Sequence, residues 1–308
     1  MSTLARLEDG VFLSKTDKNM KLKVYTVNSF AKTLEGGNPA GVVIDADSLS
    51  DESMKKIAGA IGFSETAFVM KSESADFKVR FFTPEEEVDL CGHATIATFY
   101  VLLSKGLIKP GVFLQETKAG ILSVEVKEDS SIMMEQNTPS FYETINKKEI
   151  ADSLNITENE MIDGLPVQIV STGLRDILIP VKNIDTLNSI EPNFEEVSRI
   201  SSKYNTIGYH VFTLESLYGS NAYCRNFAPL YGICEESATG TSNGALASYL
   251  HKYGNTKMGS NHQFVMEQGY SMKKPSEIIV ELLVEGLEVS GVKVGGKVMN
   301  LTEVEVDI

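Results

Sequence analysis

"RFFTPEEEVDLCGHATIATFYVLLSKG" (residues 80–106) and "RNFAPLYGICEESATGTSNGALASYLHKYG" (residues 225–254) decide the fold, because they are two versions of one pattern. Each reads R-x-F-x-P, then an acidic loop, a glycine and a helix-like run. From Gly92 the next helix-stopping glycine is Gly106, fourteen residues on, and from Gly240 it is Gly254, also fourteen on. Alanine recurs five residues after each first glycine (Ala97, Ala245) and leucine ten after (Leu102, Leu250). Coincidence at so many positions points to a duplicated lobe, with each copy built around one helix entered through a glycine turn.

Those helices are unlike surface helices. "ATIATFYVLL" and "NGALASYL" are small or apolar nearly all round, so each must be enclosed. The short β-rich runs around them are the natural cover. "LKVYTV" (22–27) and "GVVID" (41–45) read as strands, and "DFKVRFF" alternates Phe77, Val79 and Phe81 inward against Lys78 and Arg80 outward. "SDESMKKIAGAIG" reads as a helix with Ser50 as N-cap, Asp51 and Glu52 in the first turn, and Gly62 at the stop. The expected class is α+β: two pseudo-symmetric lobes, each a barrel-like β-sheet wrapped around a central helix. We expect residues 1–19 to be a leader the fold does not need, 20–128 the N-terminal lobe, and 129–308 the C-terminal lobe, with the last strand returning to the first lobe.

The 308 residues, 42% hydrophobic, are enough for a full core. A net charge of −14, with no basic block, argues against nucleic acid or an anionic membrane as partner. No window approaches a membrane span of about 20 apolar residues. Three cysteines (Cys91, Cys224, Cys234) are too few for a disulfide framework, so a cytoplasmic location is expected.

Candidate chemistry gathers at the helix mouths. A helix N-terminus carries unpaired N–H groups and about half a positive charge, so two such ends could converge on one carboxylate-bearing ligand. Gly92 and Gly240 would be the points of close approach, although each could equally be an ordinary turn. Cys91-Gly92-His93 could be a nucleophile, a helix-activated thiol base or half of a metal site, although a buried inert cysteine is the commoner case for a lone thiol. For metal it lacks partners in sequence, and no metal is expected. His93 could position a substrate proton or satisfy a local carbonyl. Glu65, in "GFSETAFVM", could be desolvated at the start of a buried strand, the setting in which a carboxylic acid exchanges protons near neutrality, although on local pattern an exposed glutamate at a strand edge is commoner. Glu236 is the other acid near a helix mouth, and Glu85-Glu86-Glu87 reads as a solvated loop.

Six ordered motifs carry a resemblance: "GNPAGVV" (37–43), "FSETAFV" (63–69), "FFTPEEEVDLCGHATIAT" (81–98), "STGLRDILIPV" (171–181), "EESATGTSNGAL" (235–246) and "EQGYSMKKPSEI" (267–278). Together they resemble the phenazine biosynthesis PhzF-like family from about Met20 onward. The resemblance implies a diaminopimelate epimerase-like fold with the site between the lobes, and an isomerase without metal or organic cofactor. In such an enzyme a glutamate, here Glu65, moves a proton between carbons of a small carboxylate substrate. It further implies that His93 and Glu236 join Glu65 in catalysis, that Gly92, Gly240, Thr241 and Asn38 bind substrate, and that the chain forms a homodimer. One departure stands out. Where the family commonly reads E-D-P-A-T-G-S, this chain reads Glu235-Glu236-Ser237-Ala238-Thr239-Gly240-Thr241. "LCGHATIA" is also similar to the first motif of two-cysteine racemases on the same fold, but Ser237 stands where their second cysteine belongs. A catalytically silent carboxylate-binding protein is the third reading.

Overall fold

A computed structural model of the chain describes residues 21–254 and 262–307, so the expected leader at 1–19 lies outside the described residues. In chain order the first half comprises β1 (Lys21–Ser29), β2 (Asn38–Val43), α1 (Asp51–Ile61), β3 (Thr66–Met70), β4 (Phe77–Phe82), β5 (Glu87–Val88), α2 (Gly92–Ser104), β6 (Gly111–Thr117), β7 (Gly120–Val126) and β8 (Ile132–Gln136). Next come β9 (Ser140–Thr144), α3 (Lys147–Leu154), β10 (Gln168–Ser171), β11 (Arg175–Pro180), α4 (Ile184–Ser189), α5 (Phe194–Tyr204), β12 (Gly208–Thr213) and β13 (Ala222–Ala228). The chain ends with β14 (Ile233–Glu236), α6 (Gly240–Lys252), β15 (Gln263–Gln268), β16 (Ser276–Glu285), β17 (Glu288–Gly296) and β18 (Val298–Asp307).

Strand pairing repeats the duplication seen in the sequence. In the first lobe β1–β2 is antiparallel, β2–β3 parallel, β3–β4 antiparallel, β4–β6 parallel, and β6–β7 and β7–β8 antiparallel. In the second, β10–β11, β11–β12, β12–β13, β13–β15, β15–β16 and β16–β17 follow the same order of directions. Each lobe is closed by one further antiparallel strand, β18 on β1 and β9 on β10, and the lobes join through β8 and β17. Because β18 lies on β1, both ends of the described chain meet in one lobe.

Each lobe wraps its sheet around one helix. From His93 to Leu102 every residue of α2 except Tyr100 is buried, as is every residue of α6 from Ser242 to Leu250. Hydroxyls inside these helices turn back onto the preceding turn: Thr95 Oγ1 donates to Cys91 O at 2.9 Å, Thr98 Oγ1 to Ala94 O at 2.8 Å and Ser248 Oγ to Gly244 O at 2.9 Å. In this way an enclosed helix keeps polar side chains satisfied. Close packing fixes Gly244, where an added Cβ would fall 2.2 Å from Gln136 Oε1 and 3.0 Å from Val294. The glycines after the helices, Gly106 and Gly254, have φ of 70° and 67° and stop them as the sequence suggests. Gly92 and Gly240 differ from the expected glycine turn: each is the first helical residue, with Cys91 or Thr239 as N-cap.

The arginine of R-x-F also repeats. Arg80 donates Nε to Glu87 Oε1 at 2.7 Å and Nη2 to Glu87 Oε2 at 2.9 Å, so Glu87 anchors β4 to β5 and the 85–87 run is not wholly a solvated loop. Arg225 makes the same fork to Glu235, 2.9 Å on each arm, and adds Nη1 bonds to Leu187 O and Ile190 O at 3.0 Å. Fork-to-fork pairing fixes geometry as well as charge. In each lobe it locks the short strand that leads to the central helix.

Candidate active site between the lobes

Parallel pairing of β2 with β3 brings the N-terminal ends of both strands to one side, and these ends carry Asn38 and Glu65. The Gly41 N–H donates to Glu65 O at 3.3 Å, which ties the residue before β3 to β2. His93 sits in the first turn of α2, where its carbonyl accepts from Ser29 Oγ at 2.7 Å. Its Nε2 lies 3.3 Å from Glu65 Oε2 and 3.5 Å from Ser64 Oγ, and its Nδ1 lies 3.4 Å from Cys91 Sγ. Glu65 Oε2 is buried with no hydrogen-bond partner. A buried carboxylate oxygen without a donor is costly unless something that visits the site supplies one.

The second lobe presents Glu236 to the same place. Asn38 reaches across, donating Nδ2 to Glu236 Oε1 at 3.0 Å and to Ala238 O at 3.2 Å. Thr239 Oγ1 donates to Glu236 Oε2 at 2.6 Å. Ser237 Oγ donates to Gly37 O at 2.9 Å, so the residue at the racemase cysteine position is spent on holding the lobes together. Burial pushes the Glu236 carboxyl above the usual carboxylate range; the Glu65 charge adds to this, while His93, Thr239 and Asn38 act against it.

Among the described residues, these helix mouths differ from the other α-helix starts. Side-chain oxygens of Ser50, Asn146, Asn183 and Asn193 cap α1, α3, α4 and α5. By contrast, Cys91 supplies no oxygen, and Thr239 turns its hydroxyl to Glu236, which leaves the first-turn N–H groups of α2 and α6 without such a cap. At Gly92 an added Cβ would meet only Met134 Cε at 3.7 Å, so packing within the protein does not demand glycine there. Gly240 is tighter, with Phe30 Cζ at 3.4 Å. Thr241 is half-buried, its carbonyl accepting from Thr172 Oγ1 at 3.1 Å. The structure therefore brings the predicted site residues together at or beside the two mouths.

Cys91 does not behave as a helix-activated thiol. Burial and the nearby Glu65 carboxylate push its pKa far up, and the Ala94 N–H offsets this only in part. Cys224 is buried in β13 and Cys234 is exposed on β14. In sequence Cys91-His93 has no third candidate metal ligand nearby, yet the fold brings Glu65 to the pair: ligand atoms of Glu65, Cys91 and His93 all lie within 4.8 Å of one another.

A polar framework behind the mouths is absent from the sequence reading. Gln268 Nε2 donates to Glu236 O at 2.8 Å and Thr239 Oγ1 at 3.0 Å, while its Oε1 accepts from Asn243 Nδ2 at 2.8 Å. Gln115 occupies the equivalent strand of the first lobe and donates to Thr95 Oγ1 at 3.2 Å. Thr95 and Asn243 each stand three residues after the first glycine of their helix, so the two buried glutamines are themselves a repeat. Beyond Asn243 the contacts continue through His210 Nε2 (3.3 Å), from His210 Nδ1 to Asn226 Nδ2 (3.2 Å), and from Asn226 to Ser242 Oγ (3.1 Å), which donates to Asp176 Oδ2 at 2.8 Å. "EQG" and "RD", within two of the family-like motifs, are the available signals for Gln268 and Asp176; nothing local marks His210.

The profile of the phenazine biosynthesis-like protein family (PhzC-PhzF) matches residues 27–303. The "uncharacterized isomerase YfhB" of Bacillus subtilis is 35% identical over 267 residues, covering 84% of this chain and 90% of that protein. The trans-2,3-dihydro-3-hydroxyanthranilate isomerase of Pseudomonas chlororaphis is 28% identical, covering 81% and 86%. Among solved structures, the Bacillus anthracis phenazine biosynthesis protein of the PhzF family superposes with a TM-score of 0.86 at 33% identity, over 94% of this chain and all of that one. A hydroxyproline epimerase from Agrobacterium vitis, at 14% identity and a TM-score of 0.59 over 93% and 92%, shares the fold. With the duplicated lobes, the matching motifs and these relatives in agreement, the chain belongs to the phenazine biosynthesis-like (PhzC-PhzF) family, whose relatives are isomerases by name.

Proposed function

We propose that this protein is an isomerase that moves a proton between carbons of a small, cyclic or amino-acid-like carboxylate, with Glu65 as general acid and base. The observation that carries the reading is the Glu65–His93 pair, 3.3 Å apart, beside two helix mouths that lack oxygen caps. First-turn N–H groups at Gly92 and at Gly240 and Thr241 hold the substrate carboxylate. Such a site needs no further cation for the anion, because backbone donors and the helix dipoles supply the charge. The unpartnered Glu65 Oε2 is the atom free to take the proton. His93 keeps Glu65 aimed, and Glu236, braced by Asn38 and Thr239 and holding its own proton more tightly than a solvated carboxyl, donates a hydrogen bond to the substrate. The two-cysteine racemase reading loses support because Ser237 is buried and engaged with Gly37, and a serine is a poor base for an α-proton. The homodimer implied by the resemblance and the cytoplasmic location expected from the cysteine count remain part of this proposal.

Incubation in D₂O with trans-2,3-dihydro-3-hydroxyanthranilate and a panel of cyclic and amino-acid carboxylates tests it by NMR. Deuterium should enter at carbon with the wild type, and Glu65→Gln should slow entry by about 10²- to 10⁴-fold while remaining folded. Near-normal exchange by that variant removes Glu65 from the role, and binding without exchange identifies a silent carboxylate-binding protein.

A further inference from the structure

The geometry points to a soft divalent-cation site made by Glu65, Cys91 and His93, through which zinc-like ions occupy the proton-transfer residues and shut them off. The inference goes beyond the isomerase reading: the cation site stands without it, and only the shutting-off rests on it. The three ligand atoms lie within 4.8 Å of one another and come from two elements, the strand-entry residue Glu65 and the start of α2. Ligands about 2.0–2.3 Å from a tetrahedral ion are separated by about 3.3–3.8 Å. The structure gives 3.3 Å from His93 Nε2 to Glu65 Oε2 and 3.9 Å from His93 Nε2 to Cys91 Sγ, so little motion is needed to form one face of a tetrahedron. A thiolate, an imidazole and a carboxylate are a zinc-type donor set, and three protein ligands leave the fourth position open to water.

One further observation favours a cation here. Glu65 Oε2 is buried without a hydrogen-bond donor, and a bound dication gives that oxygen a partner. Binding replaces the S–H bond by an S–metal bond: Cys91–SH and M²⁺ give Cys91–S–M⁺, with the proton released to buffer and no change of oxidation state.

The test is titration of the full chain with Co²⁺ as the probe, under anaerobic conditions, in a Cys234→Ser host that removes the exposed thiol. One equivalent should produce a thiolate-to-cobalt charge-transfer band, and Zn²⁺ should displace it. Cys91→Ser in the same host should abolish the band, and Glu65→Gln should weaken affinity by at least about tenfold. The ring pair of His251 and His262, centroids 6.0 Å apart, carries no sulfur and cannot mimic the band. Absence of a sulfur band, or its persistence after Cys91→Ser, overturns the inference. The band is read without substrate, so its failure leaves the Glu65 proton-transfer reading untouched, and failure of the D₂O experiment leaves the cation site untouched.

Discussion

Asp176→Asn should change how stability depends on pH, in a direction and by an amount the structure sets. Asp176 lies in β11, 2% exposed, with Oδ2 accepting from Ser242 Oγ at 2.8 Å and Oδ1 buried without a partner. Burial pushes its carboxyl from 3.8 up to about 7, with the Ser242 hydroxyl pulling only slightly the other way. Below about pH 4 the group is protonated in folded and unfolded chains alike. Between there and neutrality the unfolded chain releases its proton while the folded chain keeps it, so stability falls as pH rises and the loss is complete once the folded carboxyl ionises. Each tenfold difference in proton affinity is ~1.4 kcal/mol, so the loss is about 4 kcal/mol. His210, pushed down from 6.5 to about 4 by burial, works in the opposite direction over nearly the same interval: its contribution falls as pH drops from 6.5 towards 4, by about 3 kcal/mol. The wild type therefore hides both dependences, and Asn in place of Asp176 exposes the histidine's. Urea unfolding of both proteins at intervals from pH 4.5 to 8 should show the variant gaining on the wild type by about 3–4 kcal/mol as pH rises. A difference that stays constant within about 1 kcal/mol would falsify the account of a buried, proton-holding carboxyl.

Arg225→Met strands the half-buried Glu235 carboxylate and two carbonyls and should cost about 3–5 kcal/mol, whereas Arg80→Met, at a site with 20% side-chain exposure against 9% for Arg225, should cost markedly less; equal urea midpoints would contradict the ranking. Static light scattering should give twice the chain mass at working concentration, and a monomer mass there excludes the homodimer.

The duplication, both enclosed helices, the Ser50 cap and the Gly62 stop are legible in the sequence because each rests on local spacing: a 3.6-residue helix, a two-residue strand period, or a capping side chain next to the turn it caps. Family-like motifs named Glu65, His93 and Glu236 as candidates but left their mutual arrangement blank. That Asn38 spans the lobes to brace Glu236 and that Ser237 is spent on Gly37 depend on how one lobe docks against the other, and that Glu65 lies beside Cys91 and His93 depends on how β3 packs against α2 inside the first lobe. Of the two readings of Cys91, the buried inert thiol is the one that fits, since a helix end favours the thiolate locally while burial beside Glu65, far away in sequence, opposes it more strongly. Asp176 and His210 read as ordinary strand residues until β11, β12 and α6 pack around them and remove their water. Short-range order is written in neighbouring residues, whereas charge, protonation and the partners of buried polar groups are set by what long-range packing brings within a few ångströms.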